Sequence, residues 1–355
     1  MEERLILQEI RETPAAITAT IEETRPSAAA AAATVRRRGA GRLYITGNGT
    51  SYYSSLAASY TARSLPASEG PFVLAMMAGD LRYFTPALSE NDVLVGVSAS
   101  GEFRDILALF TRLQGQVLRV GVTHVPGSSL TRESDALLIS GGGPSRVPVM
   151  TKTYASTLTA VHLLLLELFA APEAVYQDLR ATASRAEEAI SAAEEIVPKI
   201  AEPVSQFEHA FYFGAGNGYT AALEGALKMK EMALFHAEAS ESWEMASGPA
   251  TMVSHKTLCV GLYTGHKDGD EATAQAARHA RQWGARVLEV GPTSYAGDLH
   301  LPVMAPRYHG FASLALVPPL ALLAETVARV RGINPDRPAW SERYRSQGMT
   351  HIVGG

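Results

Sequence analysis

The sequence predicts an α/β protein with two domains, each a parallel β-sheet covered by helices on both faces. Two stretches share one design, RLYITGNGTSYYSSLAASY from Arg42 and AFYFGAGNGYTAALEGALK from Ala210. In each, a short β-branched or aromatic run precedes a glycine-rich turn and an Ala-rich helix. Strands that alternate with helices in this way are typical of parallel sheets. The 355 residues suffice for two domains of about 150 residues.

Further elements repeat the pattern in each half. The segments Phe103–Leu113 and Glu271–Trp283 suit helices. Apolar runs that end in small or polar turns predict more strands: NDVLVGVSASGE from Asn91, QVLRVGVTHVPGSSL from Gln116, HKTLCVGLYTGH from His255 and RVLEVGPTSYAGDL from Arg286. The predicted layout is an N-terminal helical region (1–34), a first domain (35–170), a helical connector (171–204), a second domain (205–333) and a tail (334–355).

Composition narrows the function classes. The net charge of −5 gives no basic surface for nucleic acid or an anionic membrane. A single cysteine, Cys259, excludes a disulfide framework and indicates a reducing compartment. The charged N-terminus lacks the apolar core of a signal peptide. The apolar run that comes closest to a membrane span, Leu314–Leu323, is too short for one, and we expect Pro318-Pro319 to break it. We therefore expect a cytoplasmic protein.

The turns that follow the strands are the candidate sites, because ligands of open parallel sheets bind at the carboxyl ends of strands. These turns are Gly47–Ser51, Ser98–Glu102 and Gly214–Gly218. Glycines let a ligand approach the backbone, and the free N–H groups at a helix start favour anions. Hydroxyl groups on the first two turns predict a neutral cradle for a phosphate. Gly, Ser and Thr also make good turns and N-caps, which is the structural alternative.

The sequence does not contain the usual motifs for binding a dinucleotide, a nucleoside triphosphate or a metal ion. The first turn lacks the third glycine of a dinucleotide fingerprint, and no Gly-Lys-Ser/Thr of a P-loop follows it. The histidines His124 and His236 have no metal-ligand spacing to other His, Cys or acidic residues. We expect neither a metal nor an organic cofactor.

One helix carries an unusual charged stripe. In EGALKMKEMALFHAEASESWEMASGP, Glu224, Lys228 and Glu231 fall at i, i+4 and i+7, on one face. The segment after this helix is expected to be a loop that ends in Ser247-Gly248-Pro249. The neighbouring residues are almost all apolar, so the helix should be buried, and buried charges need partners or a function. Burial raises the pKa of a carboxyl group, which suits general acid–base catalysis. A solvated Glu–Lys face is the structural alternative.

The motifs GNGTSYYSSL, VSASGE, SSLTRESDALL, VMTKTYASTL and ALEGALKMKEMALFHAEA together resemble the SIS (sugar isomerase) family. The likeness covers the chain from about residue 35. It is greatest to the isomerase half of glutamine–fructose-6-phosphate aminotransferase and to stand-alone aminosugar-phosphate deaminases and fructosamine-phosphate deglycases. It implies two flavodoxin-like three-layer sandwiches, a homodimer, and a sugar or sugar-phosphate ligand without nucleic acid or membrane.

The resemblance also implies site residues. Glu231 matches the base that moves a proton between C1 and C2 of the sugar, and Glu224 and Lys228 match its supports. The residues that match the sugar-phosphate cradle are Gly49, Thr50, Ser51, Ser98, Ala99 and Ser100. The chain shows no match to a glutaminase domain, so glutamine-driven amination by this chain alone is not expected.

Several positions depart from the family pattern. Ser247 stands where the family usually has a catalytic histidine, and Arg343 falls near a family lysine. Around the cradle, Phe103, Ala99 and Met150 replace a common threonine, glutamine and serine. We consider Arg104, Arg146 and Lys152 as replacement anion contacts, and His236, Tyr344 and His351 as replacement acids.

Three hypotheses follow. The first is an isomerase or deaminase for a ketose phosphate or aminosugar phosphate that uses a Glu base. The second is an isomerase or deglycase for a sulfonated or unphosphorylated sugar. The third is a non-catalytic sugar-phosphate-binding protein, which would not need the stripe at 224, 228 and 231.

Overall fold

The computed structural model of the chain describes residues 4–65 and 70–346. The helices are α1 (Leu5–Arg11), α2 (Thr13–Arg37), α3 (Thr50–Ser64), α4 (Ala78–Tyr83), α5 (Arg104–Arg112), α6 (Ser129–Glu133), α7 (Lys152–Leu168), α8 (Glu173–Ser205), α9 (Asn217–Ala233), α10 (Ser242–Ser247), α11 (Lys267–Gln282), α12 (Ala312–Val330) and α13 (Ala339–Ser346). The strands are β1 (Arg42–Gly47), β2 (Phe72–Met77), β3 (Asp92–Val97), β4 (Leu118–Thr123), β5 (Ala136–Ile139), β6 (His209–Gly214), β7 (Ala237–Glu241), β8 (Thr257–Leu262), β9 (Arg286–Gly291) and β10 (Leu299–Pro302).

The strands form two parallel five-stranded sheets with the same order. The first sheet runs β2-β1-β3-β4-β5, and the second runs β7-β6-β8-β9-β10. Every strand pairing in both sheets is parallel. This 2-1-3-4-5 order is that of the flavodoxin-like fold. The prediction of two tandem parallel α/β domains is confirmed.

By contacts, the chain divides into two units, one around each sheet. In the described residues, the first-sheet unit comprises 15–65, 70–180 and 340–346, and the second-sheet unit comprises 4–14 and 181–339. In the first-sheet unit, β3 and β4 are buried along their whole length. In the second-sheet unit, β8 is buried in the same way. The centre of each sheet is thus buried on both faces.

The six strands that the sequence predicts are the interior strands, and the four that it misses are the edge strands β2, β5, β7 and β10. Interior strands of a parallel sheet are buried on both faces and read as continuous apolar runs. The missed strands are short or partly exposed, and β7, which reads AEASE, has buried residues only at Ala237 and Ser240. The segment after α9, expected to be a loop, contains β7 and α10. That expectation was wrong because a half-exposed edge strand tolerates polar residues.

A second correction concerns Pro318 and Pro319, which lie inside the continuous helix α12 instead of breaking it. Each proline removes a helical hydrogen bond at a cost of about 3 kcal/mol. The apolar residues of this helix are nearly all buried, and this packing offsets the loss. By length and composition His309–Val330 is apolar enough to cross a membrane, but 94% of the 18-residue window is buried inside the protein, as in the core helix of a folded domain.

The single cysteine is expected to be chemically inert. Cys259 lies in the middle of β8 and is buried, and burial raises the pKa of its thiol to about 12. The thiolate, which is the reactive form, is then about one part in 10⁴ at pH 8. We expect a disulfide reagent such as DTNB to label the native protein only as it unfolds, and to label it at once in guanidinium. Rapid labelling of the native protein would contradict this burial.

Candidate functional site

A crevice is expected between the turns that follow β1 and β3. These strands are neighbours, paired from Arg42 with Asp92 to Thr46 with Gly96. The chain adds β2 on one side of β1 and then returns to add β3 on the other side. Parallel sheets bind ligands at such a switch of strand order. Both hydroxyl-rich turns that the sequence indicates follow these two strands.

The β1 turn (residues 47–51) opens α3 and depends on two glycines. A Cβ at Gly47 would lie 2.7 Å from the backbone carbon of Ser51, so no side chain fits there. Gly49 has a φ of +51°, in the left-handed region that favours glycine. Thr50 and Ser51 follow it in the first turn of α3 and are largely buried. In the described part of the chain, no protein group bonds the Ser51 hydroxyl.

The β3 turn (residues 98–102) presents backbone amides and hydroxyls. The Ser98 Oγ accepts from the Gly101 amide at 3.1 Å, and the Ser100 Oγ accepts from the Glu102 amide at 3.3 Å. Both hydroxyl protons therefore stay available to donate to a ligand. Among the described residues, no group accepts a hydrogen bond from the amides of Ala99 or Ser100. Two free amides and two hydroxyls suit an anion.

The residues that hold the β3 turn in place were missed by sequence reasoning. The Ala99 carbonyl accepts from the His124 amide and from the Thr123 hydroxyl, each at 3.1 Å. The imidazole of His124 contacts the Thr157 hydroxyl at 3.0 Å on α7. Burial lowers the pKa of His124 to about 4, so it is neutral at ordinary pH. The available signal was the place of Thr123 and His124 at the end of β4, the strand beside β3.

The side chains around the cradle differ in burial. Phe103 packs with the hydrophobic core of the first-sheet unit, so its place in the sequence reflects core packing. Lys152 is buried at the first position of α7, near enough to His124 to lower the pKa of that imidazole further. Arg104 and Arg146 are exposed, and Met150 is partly buried.

The charged stripe of α9 is buried in the second-sheet unit. Lys228 Nζ lies 3.0 Å from Glu224 Oε1 and 2.6 Å from Glu231 Oε2. The side chains of Lys228 and Glu224 are fully buried, whereas that of Glu231 is 26% exposed. Burial lowers the pKa of Lys228, but the two carboxylates outweigh burial and hold the pKa above its ordinary value. The ammonium therefore stays charged and orients both carboxylates.

The burial of this helix comes from close packing with α12 and β6. A Cβ at Gly225 would lie 2.7 Å from Leu320 Cδ1 of α12 and 3.1 Å from the Tyr212 ring of β6. Glycine at this position therefore brings α9 close to both elements. Leu234 ends the helix with a φ of +48°, a left-handed conformation rare for leucine. The charged stripe therefore lies on a closely packed helix, and its last member, Glu231, is three residues before the residue that ends the helix.

The remaining predicted site residues are exposed or only partly buried. Ser247 is exposed at the end of α10, where its hydroxyl donates to the Trp243 carbonyl at 3.2 Å. His236 is exposed between α9 and β7. On α13, Arg343 is exposed and Tyr344 is partly buried. His351 lies outside the described residues.

The chain is similar in sequence to curated proteins over most of its length. The chain is 29% identical over 341 residues to a glutamine–fructose-6-phosphate aminotransferase of Pyrobaculum aerophilum, covering 94% of this chain and 56% of that protein. It is 30% identical over 310 residues to the corresponding Escherichia coli enzyme, covering 83% of this chain and 50% of that enzyme. The chain thus spans about half the length of these curated relatives.

Solved structures share the fold. The C-terminal domain of glucosamine-fructose-6-phosphate aminotransferase from Francisella tularensis superposes with a TM-score of 0.85 at 24% identity, covering 95% of this chain and 99% of that one. A glucosamine-6-phosphate deaminase from Thermotoga maritima superposes with a TM-score of 0.73 at 22% identity, covering 92% and 97%. Residues 38–167 and 204–291, which include both glycine-rich turns and the charged stripe, match the SIS domain. The chain therefore belongs to the SIS domain family.

Proposed function

We propose that the protein is an isomerase or deaminase of a sugar phosphate, either a ketose phosphate or an aminosugar phosphate. The observation that carries this proposal is the stripe on α9. A buried ammonium there holds two carboxylates at 3.0 and 2.6 Å, and Glu231 is the one of them that reaches solvent. Binding alone does not need a charge arrangement that costs this much desolvation. The curated relatives and several structural neighbours are named for chemistry on 6-phosphosugars.

In the proposed reaction, Glu231 takes a proton from the sugar carbon beside the carbonyl or imine. The electrons of that C–H bond form the C1–C2 double bond of a cis-enediol or enamine, and the oxygen or nitrogen of the former double bond gains a proton. Glu231 then returns its proton to the neighbouring carbon, while the hydroxyl or amino group on the first carbon loses a proton to solvent and becomes the new carbonyl or imine. In the deaminase reaction, water hydrolyses this imine and releases ammonia. One carboxylate that reaches both carbons suffices for this transfer. Lys228 fixes the rotamer of Glu231, and Glu224 balances the charge of Lys228.

The proposed phosphate contacts are the amides of Ala99 and Ser100 and the hydroxyls of Thr50, Ser51, Ser98 and Ser100. Amides and hydroxyls of this kind bind a dianion without a compensating cation. Lys152 is the cationic candidate that is buried, and it lies near His124. A homodimer and a cytoplasmic location stay predictions.

The reaction is tested by proton NMR in D2O. The panel is fructose 6-phosphate, glucosamine 6-phosphate, a fructosamine 6-phosphate and their unphosphorylated counterparts. Deuterium entering C1 or C2 of a phosphorylated member supports the proposal, and the most reactive member separates isomerase, deaminase and deglycase. Exchange in an unphosphorylated sugar alone would favour the second hypothesis, to which the departures from the family pattern at Ala99 and Met150 point. Tight binding of the phosphosugars without exchange in any of them would favour a binding protein.

Ser51→Ala is expected to weaken phosphosugar binding tenfold to a hundredfold. The hydroxyl bonds no protein group among the described residues, so its loss removes a ligand contact and leaves internal hydrogen bonds intact. A hydrogen bond to a charged group contributes about 1.5–3 kcal/mol. Calorimetric titration of the phosphosugar checks the change. Ser55→Ala is the matched control, because Ser55 lies one turn later on α3 and, among the described residues, its hydroxyl bonds only the Ser51 carbonyl. Equal affinities for the Ser51 and Ser55 variants would remove Ser51 from the cradle.

A further inference from the structure

The second sheet has a switch of strand order of its own, between β6 and β8. Ser98, the first residue after β3, donates its amide to the Val122 carbonyl of β4 at 3.0 Å. Tyr263, the first residue after β8, donates to the Val290 carbonyl of β9 at 2.9 Å. The two turns are therefore equivalent in register. Ala99 corresponds to Thr264, and Ser100 corresponds to Gly265.

In the second repeat, the backbone amides of Thr264 and Gly265 donate hydrogen bonds to a carboxylate. Asp270 Oδ1 accepts from the Thr264 amide at 2.8 Å, and Asp270 Oδ2 accepts from the Gly265 amide at 2.9 Å. Asp270 is buried in the first turns of α11. The equivalent amides of the first repeat, at Ala99 and Ser100, have no acceptor among the described residues. A carboxylate and a phosphate offer amides the same kind of charged oxygen acceptor.

The acidic residue at the same distance in the first repeat behaves differently. Asp105 follows Ser98 by seven residues, as Asp270 follows Tyr263. Its Oδ1 accepts from Arg82 Nη1 at 2.7 Å and does not bond the turn. The connection between strand and helix spans residues 98–103 in the first repeat but only 263–266 in the second. The shorter connection brings the first turn of α11 onto the amides.

The turn after β6 has also lost its hydroxyl groups. Gly216 has φ and ψ of 54° and −123°, close to the 51° and −129° of Gly49, so Asn217 and Gly218 correspond to Thr50 and Ser51. The side-chain Nδ2 of Asn217 donates to the Gly310 carbonyl at 2.8 Å. At Gly218, a Cβ would lie 2.8 Å from the Leu262 carbonyl oxygen, so no serine fits.

We propose that the second switch point is a phosphate-type anion site that the chain closes with its own Asp270 carboxylate. The tethered carboxylate excludes a free oxyanion by occupying its donors and by like-charge repulsion. Within residues 4–65 and 70–346, the chain thus has two sheets of one topology, and the cradle of the first sheet stays open. The assignment of the open cradle to the first repeat rests on the function proposed above, whereas the assignment of Asp270 does not.

The test compares Asp270→Ala, which empties the position, with Asp270→Asn, which fills it without the charge. Each substitution is made in the full chain, both alone and combined with Ser51→Ala. Thermal unfolding is followed while inorganic phosphate or sulfate replaces chloride at constant ionic strength. Asp270→Ala is expected to lower Tm in chloride and to recover part of the loss in phosphate and sulfate. Phosphorus NMR should show one more phosphate bound per chain than in wild type.

Asp270→Asn is expected to lower Tm without recovery, because its side chain still blocks the donors. If Asp270→Ala does not fold, Asp270→Ser, which keeps one small acceptor, is read in the same way. The inference is overturned if the Ala or Ser variant responds to phosphate as wild type does, or if the Asn variant recovers equally. A phosphate response of wild type that Ser51→Ala does not change would instead count against the proposed cradle, and leaves the Asp270 comparison intact.

Discussion

Glu231→Gln is expected to yield a folded protein that exchanges deuterium into C1 or C2 about 10²–10⁴ times more slowly than wild type, the usual contribution of a general base. Gln has the size of Glu and can still accept from Lys228 Nζ, which lies 2.6 Å from Glu231 Oε2. It cannot take a proton from carbon. Because the Glu231 side chain is 26% exposed, its neutral replacement should be tolerated. The NMR exchange assay measures the rate, and calorimetric titration checks that the ligand still binds.

Glu238→Gln is the matched control for this change. Glu238 is exposed in β7, the strand that follows α9, and its replacement removes the same charge from the same unit. We expect its exchange rate to stay within a factor of two or so of wild type, since exposed substitutions act weakly. If the Glu231 variant kept the wild-type rate, the base would have to be another residue. Equal losses in both variants would point to a general electrostatic effect.

Lys228→Met is expected to destabilise the protein by about 3–5 kcal/mol, the usual cost of removing one partner of a buried ion pair. The ammonium lies 3.0 Å from Glu224 Oε1, and both side chains are fully buried. Methionine fills a similar volume but leaves the Glu224 carboxylate without its counterion. The raised pKa of Lys228 has the same origin, because both carboxylates favour its charged form over the neutral form. Urea unfolding followed by circular dichroism measures the free energy of unfolding.

Lys230→Met is the matched control, since Lys230 is exposed two residues later on the same helix. Its effect is expected to stay within about 0.5 kcal/mol. Similar losses for both variants would indicate a change in helix propensity or solubility. A Lys228 variant as stable as wild type would mean that Glu224 is held neutral, and the charge arrangement proposed for the stripe would be wrong.

The interior strands and the helices between them could be predicted because their environment is uniform. Strands β3, β4 and β8 are buried on both faces, so most of their positions select for apolar residues. The edge strands could not be predicted, because an edge strand such as β7 (AEASE) pairs along one edge, is only partly buried and therefore tolerates polar residues. The continuation of α12 through Pro318 and Pro319 also could not be predicted from local sequence, since tertiary packing around this helix offsets the cost of the two prolines.

The amino-acid sequence by itself determined the two repeats, the parallel α/β class, the glycine-rich turns and the spacing that puts Glu224, Lys228 and Glu231 on one helix face. These are local properties of residue type and period. Only the tertiary structure decided which charges are buried and that Phe103 packs in the core. It also decided whether the backbone amides of the equivalent turns after β3 and β8 have a protein acceptor. The amides of Ala99 and Ser100 stay open while those of Thr264 and Gly265 meet Asp270. That difference depends on how far each following helix starts from its strand, and therefore on packing between elements that local sequence does not describe.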